Sequence, residues 1–282
     1  MNAPPEVNDA ESRARFLREL GKSDRQVWPI AEAALALAAL ENPAAAIAPY
    51  RYELQRIARD VERHQGAAGD LAACARAMSE VILVKHGYRG DAHTYDDLQN
   101  ANLMRVIDRR KGLPVVLGIL FLHAGRAQGW EMAGLGFPGH FLVRLADAGQ
   151  QLVLDPFHGG RVCGAAELRE LLKALAGADA ELRREHYAPV SDRDVLLRLQ
   201  NNLKSRLWRQ RRHEPAVRVV ETMLMLAPDA AELWHEAGIL YRQLGNIRAS
   251  IRALEQYVER APDGAERSQA AAMLQRLRTQ LN

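Results

Sequence analysis

The chain has 282 residues, 48% of them hydrophobic and 26% charged, with a formal net charge of +3. That length allows one large domain or two smaller ones with real cores, and so even a charge balance argues against a nucleic-acid partner. The two cysteines, Cys74 and Cys163, form no CxxC and join no Cys/His cluster, which argues against a disulfide framework or a zinc site and fits a reducing cytoplasm.

Residues 1–10 hold two prolines among polar residues and read as a disordered arm. No basic stretch followed by an apolar run opens the chain, so no signal peptide is expected. A first helix is predicted over 10–20. The run AEAALALAAL (31–40) contains Glu32, falls short of a membrane span, and reads as a core helix that stops at Asn42-Pro43. A third helix follows in YRYELQRIARDVERHQ, where Leu54, Ile57, Ala58 and Val61 share one face and Gly66 suits a C-terminal cap. DLAACARAMSEVILVKHG reads as a fourth, ending at Gly87.

The stretch around 90–100 is polar and rich in turn formers, and 102–110 is a short helix in expectation. Pro114 then opens a buried helix, PVVLGILFLHAGRAQ, where its missing N–H is harmless, and Gly129 closes it. Three short segments rich in β-formers follow: WEMAGLGF, HFLVRLA and QQLVLDPF. The turns between them predict an antiparallel meander. AAELRELLKALAG is another helix, and RREHYAPVSDRD reads as a loop joining two domains. From about Val195 the chain is helical and repetitive. Ala227-Pro228 and Ala261-Pro262 lie 34 residues apart, and Ala216, Arg218, Glu221 and Leu224 align with Ser250, Arg252, Glu255 and Val258. Two helices per 34 residues ending in proline is the tetratricopeptide signature. In the second unit Trp234, Gly238 and Tyr241 supply the large, small and aromatic residues its first helix needs.

The chemistry concentrates between residues 100 and 160. A buried helix, a histidine (His140) and an acid (Asp155) follow one another as in papain-like enzymes. Those enzymes place a thiolate at the helix N-terminus, a histidine as base and an acid to orient it. The runs DRRKGLP (108–114), PGHFLVR (138–144) and LDPFHGG (154–160), with Asn100 and Asn102, resemble the SirB family, a branch of the transglutaminase-like superfamily. The resemblance covers about 27–262. It implies an α+β papain/transglutaminase-like domain over 11–190, helical at first and then a small antiparallel sheet, followed by an all-α tetratricopeptide-like region over 191–282. It also implies a regulatory setting.

By the same resemblance His140 matches the triad histidine and Asp155 the acid. The cysteine position falls near Val115 or Val116, which have no nucleophilic atom, so a thioester cannot form there; the family commonly lacks cysteine at this point. Cys74 and Cys163 read as buried small hydrophobes. His140 and Asp155 then admit three readings: a structural pair, a binding pocket kept from an enzyme ancestor, or a base that activates water directly. Asn102, Arg109, Arg110, Gly112 and Gly139 complete the candidate binding set in the first domain, with Trp234 and Tyr241 in the repeats. Arg109, Arg110 and Lys111 could attract an anion beside the helix start, or pair with nearby acids. No metal is expected, since no HExxH-type spacing occurs, and no cofactor. Gly134, Gly136 and Gly139 are spaced G-x-G-x-x-G, but no helix follows, so they make a strand and turn. His123 and His158 read as packing and turn residues.

The expected function is a catalytically inactive protein-interaction or regulatory scaffold, cytoplasmic, that binds a protein or peptide through its repeats. The alternative is a cysteine-independent hydrolase, peptidase or acyltransferase using His140 and Asp155. The Arg-rich 198–218 segment reads as a solvated helix face rather than a nucleic-acid patch, and no membrane contact is expected.

Overall fold

The computed structural model describes residues 9–65 and 70–281. The expected disordered arm falls almost wholly outside them, as does the cap at Gly66. Helices α1 (Ala10–Gly21), α2 (Ile30–Glu41) and α3 (Ala48–Gln65) follow the predicted elements closely. Helix α2 is alanine-rich and buried on almost every side, as an all-apolar helix must be. The guanidinium of the buried Arg13 donates to the Ala39 carbonyl near the C-terminus of α2 and to the Pro43 and Ala45 carbonyls of the turn that follows.

The fourth helix differs from expectation. Regular α4 runs Leu71–Ser79, capped by Asp70, and then widens into a π-helical turn, Glu80–Lys85. The wider turn brings His86, which is 7% exposed, between two carboxylates of α3. Its Nδ1 lies 3.0 Å from Glu53 and its Nε2 2.8 Å from Asp60. Arg110 reaches the same Glu53 at 2.5 Å and stacks over Tyr88. Arg56 and Lys85 close the cluster on Glu53 and Asp60.

Strands β1 (Arg89–Gly90) and β2 (Lys111–Gly112) pair in parallel, flanking helix α5 (Leu103–Arg109). Helix α6 (Pro114–Ala127) is buried along nearly its whole length. It packs on β3 (Glu131–Leu135) and β4 (Leu142–Asp147) of a five-stranded antiparallel sheet. The other strands are β5 (Gln150–Asp155), β6 (Arg161–Val162) and β7 (Pro189–Val190), in the order β6-β5-β4-β3-β7. The expected interdomain loop thus contains an edge strand, because Val190 pairs with Gly134. Helix α7 (Ala165–Ala176) adds Leu168 and Leu172 to a cluster with Leu135, Phe137, Leu142 and Cys163.

Helices α8 (Asp192–Arg209), α9 (His213–Leu226), α10 (Ala231–Gln243), α11 (Ile247–Arg260) and α12 (Ala265–Leu281) complete the chain. Contacts divide the chain into two units: Arg25–Leu199 with residues 9–13, and Gln200–Asn282 with Ala14–Asp24. In the first unit Asp192 starts α8 by accepting from Arg126 at 2.6 and 2.9 Å and from the Trp28 backbone at 2.8 Å. In the second, α10 and α11 approach closely at Gly238, where a Cβ would come within 2.8 Å of Leu254. The Ser250 hydroxyl donates to the Gly238 carbonyl at the same crossing, at 2.7 Å. Trp234 donates from its indole to Pro228, and Tyr241 donates to Glu221. Among the described residues, no helix is long and apolar enough to cross a membrane.

Two stability predictions follow from this packing. A methyl group at Gly118 would strike the buried Phe141 ring, so Gly118→Ala is expected to lower stability by about 1–3 kcal/mol in thermal unfolding. The Arg110, Arg56 and His86 contacts outweigh burial and hold Glu53 at about 2, below its unfolded value of 4.5. Its ionised form therefore favours the fold fully above about pH 4.5, and that contribution disappears as pH falls through about 2. Glu53→Gln should weaken the fold by roughly 2–3 kcal/mol at neutral pH. It should also flatten the acid limb of stability, read by urea unfolding at stepped pH.

Candidate functional site

The site forms where β4 and β5 end side by side. Val143 pairs with Leu154, so the end of β5 delivers Asp155 beside the turn that leads into β4. His140 sits in that turn, two residues before the strand rather than on it. Gly139, just before it, takes φ +70, a left-handed conformation that glycine adopts without strain.

Asp155 is completely buried and His140 is 6% exposed. The His140 Nε2 lies 2.8 Å from Asp155 Oδ1. The other oxygen, Oδ2, lies 2.7 Å from His158 Nδ1. Backbone N–H groups of Phe157 and His158 donate to Oδ1, so the carboxylate also caps the short 3-10 turn Pro156–His158. Arg161 stands 3.6 Å from Oδ2. The bonds from His140 and then His158 outweigh burial and hold the Asp155 carboxyl at about 2. It is a carboxylate at neutral pH. The two imidazoles stack with ring centroids 5.3 Å apart, and Phe157 meets both edge-on.

The start of α6 lies close by. Gly118 faces Phe141, the residue after His140. Strand β1, beside β2 at the foot of α6, meets Phe157 at Gly90. At that helix start Val115 and Val116 are 1% and 0% exposed. Leu113, ahead of the helix, uses its carbonyl to accept from Val116 and Leu117.

The remaining candidates have internal partners. Asn102 caps α5 by accepting from the Arg105 backbone and donates to Ala38. Arg109 pairs with Asp91 and Asp97 and donates to Asn100. Lys111 lies 2.9 Å from Asp91, and Arg110 belongs to the Glu53 cluster. The three consecutive cations are thus all engaged within the fold. Gly112 lies against Val106, where a Cβ would come within 2.6 Å. Trp234 and Tyr241 lie in the repeats, in the other unit from His140.

The 198–218 segment is not a wholly solvated face. Arg206 is buried, and Arg198 donates to the carbonyls of Phe137 and His140 at 2.9 and 2.6 Å. Arg198 thereby braces the turn that carries His140, a role invisible in sequence because the two lie 58 residues apart. Two further features escaped the sequence reading. His158 joins Asp155, and a groove of about 640 Å³ opens beside it, lined by Ser79, Leu83, Phe157, Gly160 and Arg161 among others. The i,i+3 spacing of Asp155 and His158 across a proline was the available signal for the first.

Both cysteines lie in packing positions. Cys74 is buried on α4 with its sulfur accepting from Gln65, and burial raises its pKa. Cys163 lies in the cluster under α7; burial, then the nearby Asp155 charge, pushes its thiol up as well. His123 bonds to the Leu54 carbonyl inside the core, and burial lowers its pKa.

A family model described as transglutaminase-like superfamily matches residues 48–201, and one described as tetratricopeptide repeat matches 203–275. A UPF0162 protein of Xylella fastidiosa (strain Temecula1) is 34% identical over 189 residues, 66% of this chain and 67% of that protein. A UPF0162 protein of Vibrio cholerae serotype O1 is 30% identical over 241 residues, 85% of this chain and 89% of that one. Protein SirB1 of Salmonella typhimurium is 27% identical over 162 residues, 57% of this chain and 60% of its own length.

Buried thiols with raised pKa values react slowly with disulfide reagents. Neither cysteine is expected to react appreciably at neutral pH in the native protein, and both should react once denaturant is added. An aromatic disulfide assay with peptide mapping measures this, and prompt native labelling of either cysteine would contradict it.

Proposed function

The chain belongs to the SirB family of the transglutaminase-like superfamily, and from that premise we propose that it is a catalytically inactive member that works in the cytoplasm as a recognition scaffold. In this reading the transglutaminase-like domain keeps the histidine–carboxylate pair without a nucleophile. The tetratricopeptide repeats recruit a protein or peptide partner, as repeats of this type commonly do.

The observation that carries the proposal is the pair of buried valines at the start of α6, Val115 and Val116. A helix N-terminus stabilises a thiolate only if a sulfur is there. Acyl transfer through a thioester needs that atom, and an isopropyl group has none. Both cysteines of the chain are buried in packing positions, which supports the same reading. His140 is the candidate relic base and Asp155 the residue that orients it; neither acts as a nucleophile here.

The repeats are tested by affinity capture from native extract with the full chain and with a chain ending at Arg212, which keeps α8 whole and removes α9–α12. Circular dichroism checks that the shorter chain folds. A partner bound by the full chain and lost on truncation is the expected outcome. A partner retained by the shorter chain, or turnover of an amide substrate that His140→Ala abolishes, would contradict the proposal.

A further inference from the structure

Among the described residues, His140, Asp155 and His158 form the one group of three potential metal-ligating side chains whose donor atoms converge, all within 4.8 Å of one another. The atoms are the Nε2 of His140, the Nδ1 of His158 and a carboxylate oxygen of Asp155. We propose that these three residues bind a divalent transition-metal ion of the Zn²⁺ class, with a further coordination position open to solvent.

The donor chemistry suits that class of ion, since two neutral imidazoles and one carboxylate are common zinc ligands in three-residue open sites. The geometry is close to what binding requires. Ligand bonds of about 2.0–2.2 Å in a tetrahedral site set donor atoms about 3.3–3.6 Å apart. Here each imidazole nitrogen is 2.7–2.8 Å from the carboxylate. An ion entering between them needs the nitrogen–oxygen distances to open by about half an ångström, within a group whose donor atoms all lie within 4.8 Å of one another. Each ring nitrogen facing Asp155 gives up its proton, to solvent or to the other ring nitrogen by tautomerisation, as it exchanges the hydrogen bond for a coordinate bond.

Support around the ligands favours the same assignment. The Phe157 and His158 N–H groups fix Asp155 Oδ1, and the Asp155 carbonyl accepts from Gly160 at 2.8 Å, closing the loop. Outer contacts that orient ligands in this way strengthen metal sites. Access exists, because the His158 side chain is 47% exposed while His140 and Asp155 form the floor. Arg161 is the opposing charge, at 3.6 Å from Oδ2; its side chain is 48% exposed and has room to swing into solvent.

The His86 cluster makes a useful contrast. Its imidazole also touches two carboxylates, but through opposite ring nitrogens, Nδ1 to Glu53 and Nε2 to Asp60. Its donors therefore flank the ring on two sides and do not meet at a point. That arrangement bridges two separate carboxylates, whereas the Asp155 group aims two nitrogens at one carboxylate.

The proposal does not depend on the scaffold reading, and its test uses binding rather than activity. The untagged full chain, stripped with chelator, is titrated with Zn²⁺ by calorimetry and with Co²⁺ by visible absorption. The expected result is one ion per chain with a Kd on the order of 1 μM or tighter, and Co²⁺ d–d bands of a four-coordinate nitrogen/oxygen site. His158→Ala should weaken binding at least about 100-fold, and His235→Ala, which removes a histidine stacked on Tyr257 in the other unit, should leave it unchanged. In the unsubstituted chain Zn²⁺ should slow diethylpyrocarbonate modification of the half-exposed His158, as mapped by peptide mass. No saturable binding, binding undiminished by His158→Ala, or protection confined to other histidines would overturn the proposal and leave the three residues as a hydrogen-bonded group only.

Discussion

The Asp155 carboxylate holds the candidate site together. It is sealed from water, and it accepts from two imidazoles and two backbone N–H groups while Arg161 stands nearby. A buried carboxylate is tolerable only when its lone pairs are used in this way. The bonds in turn fix where its neighbours go. The 3-10 turn after β5 forms under it, His140 is drawn toward the end of β5, and the loop to β6 closes at Gly159 and Gly160, both at positive φ. Arg198 then locks the far side of the His140 turn from α8. Most of the site's rigidity is therefore spent on the histidine and the acid, whether or not chemistry follows.

The start of α6 contrasts with this order. It shows the helical geometry that stabilises an anion at an N-terminus, yet the side chains there are buried valines. Such positions are shaped by packing. Gly118 has no side chain because Phe141 fills that space, and the long apolar helix supplies the core on which the sheet rests. An enzyme would give up some of that packing for a reactive atom. Here Val115 and Val116 are buried and Gly118 abuts Phe141, and under the proposed function the histidine–carboxylate pair serves recognition.

Much of this architecture could be read from sequence, and the exceptions have physical causes. The α2, α3 and α6 helices were clear because their apolar periodicity and proline or glycine stops are local signals. The repeats were clear because a 34-residue period with proline stops repeats the same local chemistry. The π-helical turn at Glu80–Lys85 was not, since its apolar run also fits an ordinary helix and the acids that His86 meets after it lie on α3, far away in sequence. Strand β7 was hidden for a similar reason: two residues beside a proline carry no strand pattern, and only pairing with β3 makes them one. At the site, order along the chain points to His140 and Asp155 lying near each other, and they are 2.8 Å apart, though His140 sits in the turn before β4 rather than opening the strand. The contributions of His158 and Arg198 depended on side-chain direction and on a contact from another helix. The basic triplet 109–111 went the other way: its partners are acids from α3 and the 91–97 turn, so charges that looked available are consumed by the fold.

In the proposed reading the histidine–carboxylate pair persists with no acyl-accepting side chain at the start of α6, where Val115 and Val116 are buried. Intact-mass spectrometry after incubation with an activated acyl donor tests it most directly, with peptide mapping of any product and His140→Ala as the comparison. The expected result is the same mass profile for both chains, any adduct being confined to amines that the donor acylates directly. A stoichiometric acyl adduct on any side chain, absent when His140 is replaced, would contradict it.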